Sequence, residues 1–162
     1  MEEMVLSIRQ AIESDIDDIL TMMEVFAQEL GVPKFKATKD LLIKAGINGS
    51  GNFDILVAAS DELVAGYVIT TPAYSSTHGA IGLYVEDLYV RKDMRAVGIG
   101  LVLIRETAKR AAEKGGTFLR WDADIENLNA IDFYQKIGGE RETENTLMQL
   151  SGDNFSRFIR TQ

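Results

Sequence analysis

The sequence contains no cysteine, which excludes disulfide bonds, a thiolate nucleophile and a thiolate metal site within these 162 residues. The only histidine, His78, lies in a polar stretch without a cluster of partner ligands, so no metal site is expected. No apolar run approaches the ~20 residues that a transmembrane helix needs. The start, Met1-Glu2-Glu3, lacks the basic and apolar segments of a secretory signal peptide, and we therefore expect a cytoplasmic location.

Positive charge is scarce as well. The chain has 17 Lys and Arg residues against 25 Asp and Glu residues, which gives a formal net charge of −8. An acidic surface repels a phosphate backbone, so we expect no nucleic acid as a partner. The same surface attracts cations, which favours a small cationic substrate. Because no apolar run is long enough to span a bilayer, we expect no membrane as a partner either. The length fits a single domain that spans residues 1–162.

Hydrophobic periodicity and turn signals divide the chain into alternating strands and helices. Ser14 and Asp17 resemble a capping box before the first helix, and Gly49-Ser50-Gly51 is a glycine-rich loop after the second. Predicted strands span residues 5–10, 53–59, 63–71, 80–90 and 117–124, with a weaker one at 146–150, and predicted helices span 16–30, 39–47, 98–114 and 127–137. This order predicts a mixed α/β domain, in which an antiparallel hairpin leads into a β-α-β crossover.

A basic, glycine-containing segment separates the strand at 80–90 from the helix that follows it. It reads Arg-Lys-Asp-Met-Arg-Ala-Val-Gly-Ile-Gly over residues 91–100. Gly98 and Gly100 carry no Cβ where a ligand's phosphates would approach the backbone, and the first-turn N–H groups of the helix would point at that anion. Arg91, Lys92 and Arg95 add positive charge beside this turn. The segment therefore predicts an anion site.

Two common phosphate-binding motifs fit this segment poorly. A dinucleotide fingerprint requires a third glycine where Leu103 stands. A P-loop requires Lys and Ser or Thr after its last glycine, where this chain has Leu101 and Val102. From the residues alone, a glycine-containing turn with a solvated basic rim also stays open.

The wider pattern resembles a known enzyme family. Arg95-Ala-Val-Gly-Ile-Gly100 is similar to the Arg/Gln-x-x-Gly-x-Gly/Ala pyrophosphate motif of the GNAT (Gcn5-related) N-acetyltransferases. Tyr84-Val-Glu-Asp-Leu-Tyr-Val90 resembles the fourth strand of that family, and Asn127-Leu-Asn-Ala130 with Phe133-Tyr134 resembles its Asn-x-x-Ala…Phe/Leu-Tyr element. The likeness covers residues 5 to about 140 and is strongest to the diamine (spermidine/spermine) acetyltransferase branch.

The resemblance implies a GNAT-type fold, a central, mostly antiparallel sheet flanked by helices, with acetyl-CoA as co-substrate and a homodimer as the assembly. It implies that the backbone of Leu88 to Val90 pairs with the pantetheine arm and that the turn before the helix holds the pyrophosphate. Ala96 stands where the family has a glycine, which a negative φ would tolerate. The implied cofactor contacts are Leu88, Tyr89, Val90, Arg95, Ala96, Val97, Gly98, Ile99, Gly100, Leu101, Asn127 and Ala130.

The resemblance also implies catalytic roles. Glu86 is the candidate base that removes a proton from the amine, and Tyr134 is the candidate acid that protonates the leaving thiolate. The N–H of Leu88 would stabilise the carbonyl oxygen. On a regular strand Glu86 and Asp87 point to opposite faces. The family pattern implies a β-bulge here, which would break this alternation of side chains. A solvated position for Glu86 and a core position for Tyr134 are the alternatives.

These features predict an enzyme that transfers acetyl from acetyl-CoA to a primary amine of a small, polyamine-like substrate by direct attack. A protein lysine, an aminoglycoside or an amino acid are alternative acceptors. A non-catalytic acyl-CoA-binding module is an alternative of another class, since a fold alone does not establish activity. Four acidic residues are candidates for attracting the cationic substrate: Glu29, Asp122, Asp124 and Glu126.

Overall fold

A computed structural model describes residues 5–48 and 51–160, in two compact units, Met1–Asp122 and Ala123–Gln162. The first unit contains a five-stranded sheet in the order β1-β2-β3-β4-β5 and three helices. The strands are β1 Ser7–Gln10, β2 Asp54–Ala59, β3 Val64–Ser75, β4 Ala80–Val90 and β5 Phe118–Trp121. The helices are α1 Ile16–Glu29, α2 Lys39–Leu42, which continues as a π-helical turn over Ile43–Ile47, and α3 Ile99–Glu113.

Among the described strands, the first three pairs are antiparallel, and only β4 and β5 run parallel. The predicted hairpin is β2–β3, closed by a bond from the Ser60 N–H to the carbonyl of Leu63 at 2.9 Å. Helix α3 forms the crossover that a parallel pair requires. The predicted mixed α/β architecture with a mostly antiparallel sheet is therefore confirmed. The N-terminal residues Met1-Glu2-Glu3 lie outside the described ranges, as do Gly49 and Ser50 of the glycine-rich loop.

Alternating residues of β2, β3 and β4 build the main core against α1 and α2. Members of this core include Ile16 and Ile19 of α1, Val57 of β2, and Tyr67 and Ile69 of β3, each at most 5% exposed. Burying such side chains contributes about 1.5–3 kcal/mol each to folding. This packing fixes one face of β3 and β4 beneath α1 and thereby decides where their polar side chains lie.

Helix α3 covers the opposite face of the sheet. Its buried side chains are Ile99, Leu103, Ile104, Thr107 and Ala111. Ala108 is exposed, because the buried positions follow a spacing of four residues from Ile99, although helical periodicity in the sequence also favours Ala108 as a buried position. The buried hydroxyl of Thr107 donates to the carbonyl of Leu103 at 2.9 Å, so it is satisfied within the helix.

The cap before α1 also differs from its prediction. The cap residue of α1 is Asp15 and not Ser14, and the carboxylate of Asp15 accepts the N–H of Ile12 at 2.8 Å. Asp15 is buried and pairs with Arg9 at 2.7 Å, which compensates its charge. Ser14 lies inside the 3-10 turn Glu13–Asp15 that precedes the helix.

Two irregularities of β4 matter for function. The register with β3 shifts between the pairs Ile69–Asp87 and Thr70–Val85, so Glu86 is an extra, bulged residue. The implied β-bulge is thus confirmed. In addition, β5 pairs only with residues 82–85 of β4. Within the described strands, residues 86–90 therefore have β3 on one side and no strand on the other.

The second unit contains two helices, α4 Leu128–Lys136 and α5 Gly152–Phe158. The predicted strand at 146–150 is wrong. That segment is irregular, and Leu147 and Met148 are 77% and 85% exposed, so it has neither a pairing strand nor a face to bury. Within residues 5–48 and 51–160, none of the helices is sufficiently long and apolar to span a membrane.

Candidate active site

The turn between β4 and α3 has the geometry of an anion site. Gly98 caps α3 with a φ of 89°, and the first helical bond runs from the N–H of Val102 to its carbonyl at 3.1 Å. The N–H groups of residues 98–101 precede that bond and have no acceptor within the helix. A Cβ added at Gly98 would meet no protein atom within 4 Å beyond its neighbours in the chain. The space above this turn is therefore open to a ligand, and the partial positive charge of the helix end is directed into it.

Ala96 takes a left-handed conformation in this turn. Its φ is +67°, so the negative φ at which alanine would replace a glycine without strain is not found. A left-handed alanine costs about 1–2 kcal/mol, and such strain persists where surrounding contacts enforce it. The turn therefore has a conformation that the neighbouring residues must maintain.

The basic residues beside the turn are paired within the protein. Arg91 contacts Asp93 at 3.1 Å, Lys92 contacts Glu29 at 3.4 Å and Arg95 contacts Glu29 at 3.1 Å. These carboxylates neutralise much of the charge that the sequence shows at this turn. The groups that remain directed at an anion are the main-chain amides and the helix dipole.

The free edge of β4 provides a second recognition surface. β5 does not pair with residues 86–90, so the outward peptide groups of this stretch are available to a ligand that pairs like a strand, except the carbonyl of Val90, which accepts Nε of Arg95. The side chain of Tyr89 points into the core and is 4% exposed, and its peptide groups face Tyr67 of β3, so Tyr89 itself offers little to a ligand at this edge. A diphosphate with an amide-containing arm fits the combination of this edge and the Gly98 turn, and acetyl-CoA has both parts.

The bulge brings two carboxylates to the same face of the sheet. Glu86 is exposed and accepts the hydroxyl of Thr71 at 3.3 Å. Asp87 lies directly opposite Ile69, and cross-strand partners share a face. Ile69 and Thr71 are two residues apart in β3 and therefore share the face that α1 covers. Both acids lie on that face as well. Strict alternation would have separated them.

Asp87 is the more perturbed of these acids. Its burial, together with the negative charge of Glu86, raises the pKa of its carboxyl to about 6. Perturbed acids of this kind cluster at functional sites. From the sequence, only Glu86 was predicted to act at the site, because a regular strand directs Asp87 to the opposite face. The implied bulge was the signal that could have identified it.

Hydroxyl groups line the same face. The hydroxyl of Tyr84 donates to Asp122, and burial, this bond and the charges of Asp122 and Glu86 raise its pKa. The hydroxyl of Tyr67 is buried and has no hydrogen-bond partner in the described part of the chain, and burial and the charge of Asp87 raise its pKa. This face thus combines three carboxylates with phenolic hydroxyls, a set that binds an ammonium group and accepts protons.

His78 has a local role in the loop between β3 and β4. Its Nδ1 lies 3.0 Å from the hydroxyl of Ser75 and 3.2 Å from that of Thr77. Across residues 5–48 and 51–160, no group of three or more His, Asp or Glu side chains is placed to hold a metal ion.

In the second unit, Asn127 caps α4. Its side-chain oxygen accepts the N–H of Ala130 at 3.1 Å, as its position before a helix predicts. Tyr134 lies on the same helix, with its ring 5.2 Å from that of Phe133. It is half-buried, and burial raises the pKa of its phenol, which favours retention of the proton at neutral pH.

The chain is similar to known acetyltransferases. A model of the acetyltransferase (GNAT) family matches residues 19–139. The chain is 32% identical to thialysine N-epsilon-acetyltransferase of Mus musculus over 146 residues, which cover 85% of each chain. It is 36% identical to an L-ornithine N5-acetyltransferase of Arabidopsis thaliana over 94 residues, which cover 58% of this chain and 41% of that protein.

Solved structures share the fold. An integron cassette protein from the mobile metagenome of V. cholerae matches with a TM-score of 0.79 and 22% identity, over 98% of this chain and 100% of that one. An aminoglycoside acetyltransferase from an uncultured soil metagenomic sample matches with a TM-score of 0.73 and 23% identity, over 90% and 97% of the two chains. With a family match over most of its length, the chain belongs to the GNAT family of acyl-CoA-dependent N-acetyltransferases.

Proposed function

We propose that this enzyme transfers the acetyl group of acetyl-CoA to a primary amine of a small cationic substrate. The observation that carries the proposal is the bulge in β4, which places Glu86 and Asp87 on one face of the strand that leads into the Gly98 turn. A cationic acceptor and an anionic donor would then bind to consecutive parts of one strand and its following turn. The acidic net charge of −8 supports the same acceptor class.

Residues of the turn and of the strand edge would hold the donor. The N–H groups of residues 98–101 would bind the diphosphate, and the backbone of Leu88 to Val90 would pair with the pantetheine arm. Asn127 already caps its helix through its side-chain oxygen, so its amide nitrogen is the group that would donate to that arm. Acetyl-CoA supplies an activated thioester carbonyl for the amine to attack.

The acids would prepare the acceptor. An alkylammonium is protonated at neutral pH and must lose a proton before its nitrogen becomes nucleophilic. Glu86, exposed on the shared face, would take that proton directly or through water. Asp87, ionised above its pKa of about 6, would supply a second negative charge that holds the ammonium against the strand.

Two further groups would complete the transfer. As the C–N bond forms, negative charge grows on the carbonyl oxygen, and the N–H of Leu88 would donate to it. As the C–S bond breaks, the hydroxyl of Tyr134 would give its proton to the departing sulfur, and its raised pKa keeps that proton in place beforehand. The nitrogen would then lose its extra proton, which restores the phenol and leaves the neutral amide. The amine attacks directly, since the chain has no cysteine to carry the acetyl group.

The names of the relatives narrow the acceptor class. Two of them act, by name, on ornithine and on thialysine, both of which are amino acids with a terminal amine. We propose the same kind of acceptor here, a diamine or a basic amino acid. The carboxylates of Glu86, Asp87 and Asp122 lie on one face of the sheet, the acceptor face, and suit a substrate with more than one positive charge.

The titration of Asp87 predicts a pH dependence. With saturating acetyl-CoA, kcat/KM should fall as the pH drops through about 6, because protonation of Asp87 removes charge from the acceptor face. Asp87→Asn should lower kcat/KM at neutral pH by about ten- to hundred-fold and remove this acid limb. A variant that keeps the limb at the same pH would assign it to another group.

The same substitution has a stability signature that needs no substrate. The folded-state pKa of Asp87 lies above its ordinary value of 3.8, so the folded state binds this proton more tightly, and stability falls as the pH rises from about 4 to about 6. Asp87→Asn should therefore stabilise the fold near neutral pH by about 1–3 kcal/mol, with the gain disappearing below about pH 4. Urea unfolding at both pH values measures the difference.

A further inference from the structure

We infer that Glu29, the last residue of α1, is a positioning residue that holds the β4–α3 turn in the shape that binds the diphosphate. The inference rests on the proposed function, because it assigns a purpose to the turn. It concerns a side chain that the sequence suggested as an attractor for the substrate. In the structure, its carboxylate instead contacts hydrogen-bond donors from the end of β4 and the turn that follows it.

Three donors converge on the carboxylate of Glu29, whose side chain is 24% exposed. An Nη of Arg95 lies 3.1 Å from one oxygen, and Nζ of Lys92 lies 3.4 Å from the other. The hydroxyl of Tyr89 donates to that second oxygen at 3.2 Å. All three donors belong to the end of β4 or to the turn after it, so a single carboxylate ties α1 to the whole segment.

Arg95 transmits this restraint to the strained part of the turn. Its Nε donates to the carbonyl of Val90 at 2.8 Å, and its guanidinium lies 5.1 Å from the centre of the Tyr89 ring. It directly precedes Ala96, whose φ of +67° is unfavourable for alanine. Strained conformations persist when their surroundings over-determine them, and the contacts of Arg95 are the ones that do so here.

The charge of Glu29 is maintained at neutral pH. Its burial alone would raise its pKa, but the hydrogen bonds and charges of Arg95, Tyr89 and Lys92 outweigh burial and lower the pKa below its ordinary value. Because two cations already neutralise Glu29, it has little capacity to attract a cationic acceptor. Its contacts instead fix the direction of the amides of residues 98–101, which a diphosphate must find already arranged.

The test is Glu29→Gln, which removes the charge and keeps the size, with Glu24→Gln as the matched control on the exposed side of the same helix. Trypsin digestion of the folded chain, followed by mass spectrometry, reports how often the turn opens at Lys92 and Arg95. Calorimetric titration with coenzyme A reports its affinity. We expect faster cleavage at these two sites and about ten-fold weaker binding in Glu29→Gln, with kcat at saturating substrates within about two-fold of wild type. Glu24→Gln should match wild type in all three measurements.

Unchanged cleavage in Glu29→Gln would show that the carboxylate does not hold the turn and would overturn the inference. Faster cleavage with unchanged affinity would also overturn it, because the restraint would then have no consequence for the ligand. A wild-type chain that fails to bind coenzyme A would refute the proposed function instead. The cleavage rates would still decide whether Glu29 restrains the turn.

Discussion

Replacing Gly98 with valine is expected to abolish the binding of acetyl-CoA while leaving the chain folded. The φ of 89° at this position disfavours any branched side chain, and the strain costs about 1–2 kcal/mol. Apart from its chain neighbours, no protein atom lies within 4 Å of the added Cβ, so the Cβ itself fits without displacing other parts of the protein. The methyl groups would instead fill the space in front of the amides of residues 98–101. Calorimetry should show an affinity for coenzyme A reduced by more than about 100-fold.

Gly79 offers a matched control for this substitution. It also has a positive φ, 57°, and open space around an added Cβ, but it lies in the loop at the opposite end of β4. Gly79→Val should show a similar loss of stability and an unchanged affinity for coenzyme A. Normal affinity in Gly98→Val would mean that the diphosphate binds elsewhere.

Tyr134→Phe is expected to lower turnover by about 10²–10⁴-fold, because the substitution removes one proton donor and little else. Without that proton the sulfur must leave as a thiolate. The phenol carries its proton at neutral pH, since burial raises its pKa. Affinity for coenzyme A should stay within about two-fold of wild type, because the ring that packs beside Phe133 is retained. Thiol release from acetyl-CoA under saturating conditions measures turnover.

Tyr74 provides the control for Tyr134. It is 66% exposed at the end of β3, and Tyr74→Phe should leave both turnover and affinity unchanged. If Tyr134→Phe has normal turnover, this tyrosine has no part in the transfer. If affinity and turnover fall together, its role is in binding rather than in proton donation.

Elements with strong periodicity could be predicted well from the sequence. The strand Ala80–Val90 has the bounds that its β-forming residues predict, and the hairpin and the crossover follow from turn signals and element order. The position of the turn before α3 was also predicted correctly, because glycines between a strand and a helix interrupt both periodic patterns. These features depend on local residues, which a sequence displays directly.

Features that depend on tertiary contacts were less accessible. Asp87 shares a face with Glu86 only because of the bulge, and its burial depends on how α1 packs over the sheet. The pairing of Arg95 with Glu29 joins residues that are far apart in the chain. The positive φ of Ala96 likewise depends on contacts around the turn and not on its own side chain. The segment 146–150 resembles a strand in composition, but no neighbouring strand pairs with it within the described ranges. Local propensity cannot supply such long-range partners.

The central claim is the transfer of acetyl to a small cationic amine. Its most direct test measures thiol release from acetyl-CoA by the full chain with a panel of amines, comprising spermidine, ornithine, lysine, an aminoglycoside and a lysine-containing peptide. We predict that diamines and basic amino acids accelerate release, with a matching acetylated amine detected by mass spectrometry. Bound coenzyme A without acceleration by any of these amines would contradict the claim and would indicate a binding module instead of a catalyst.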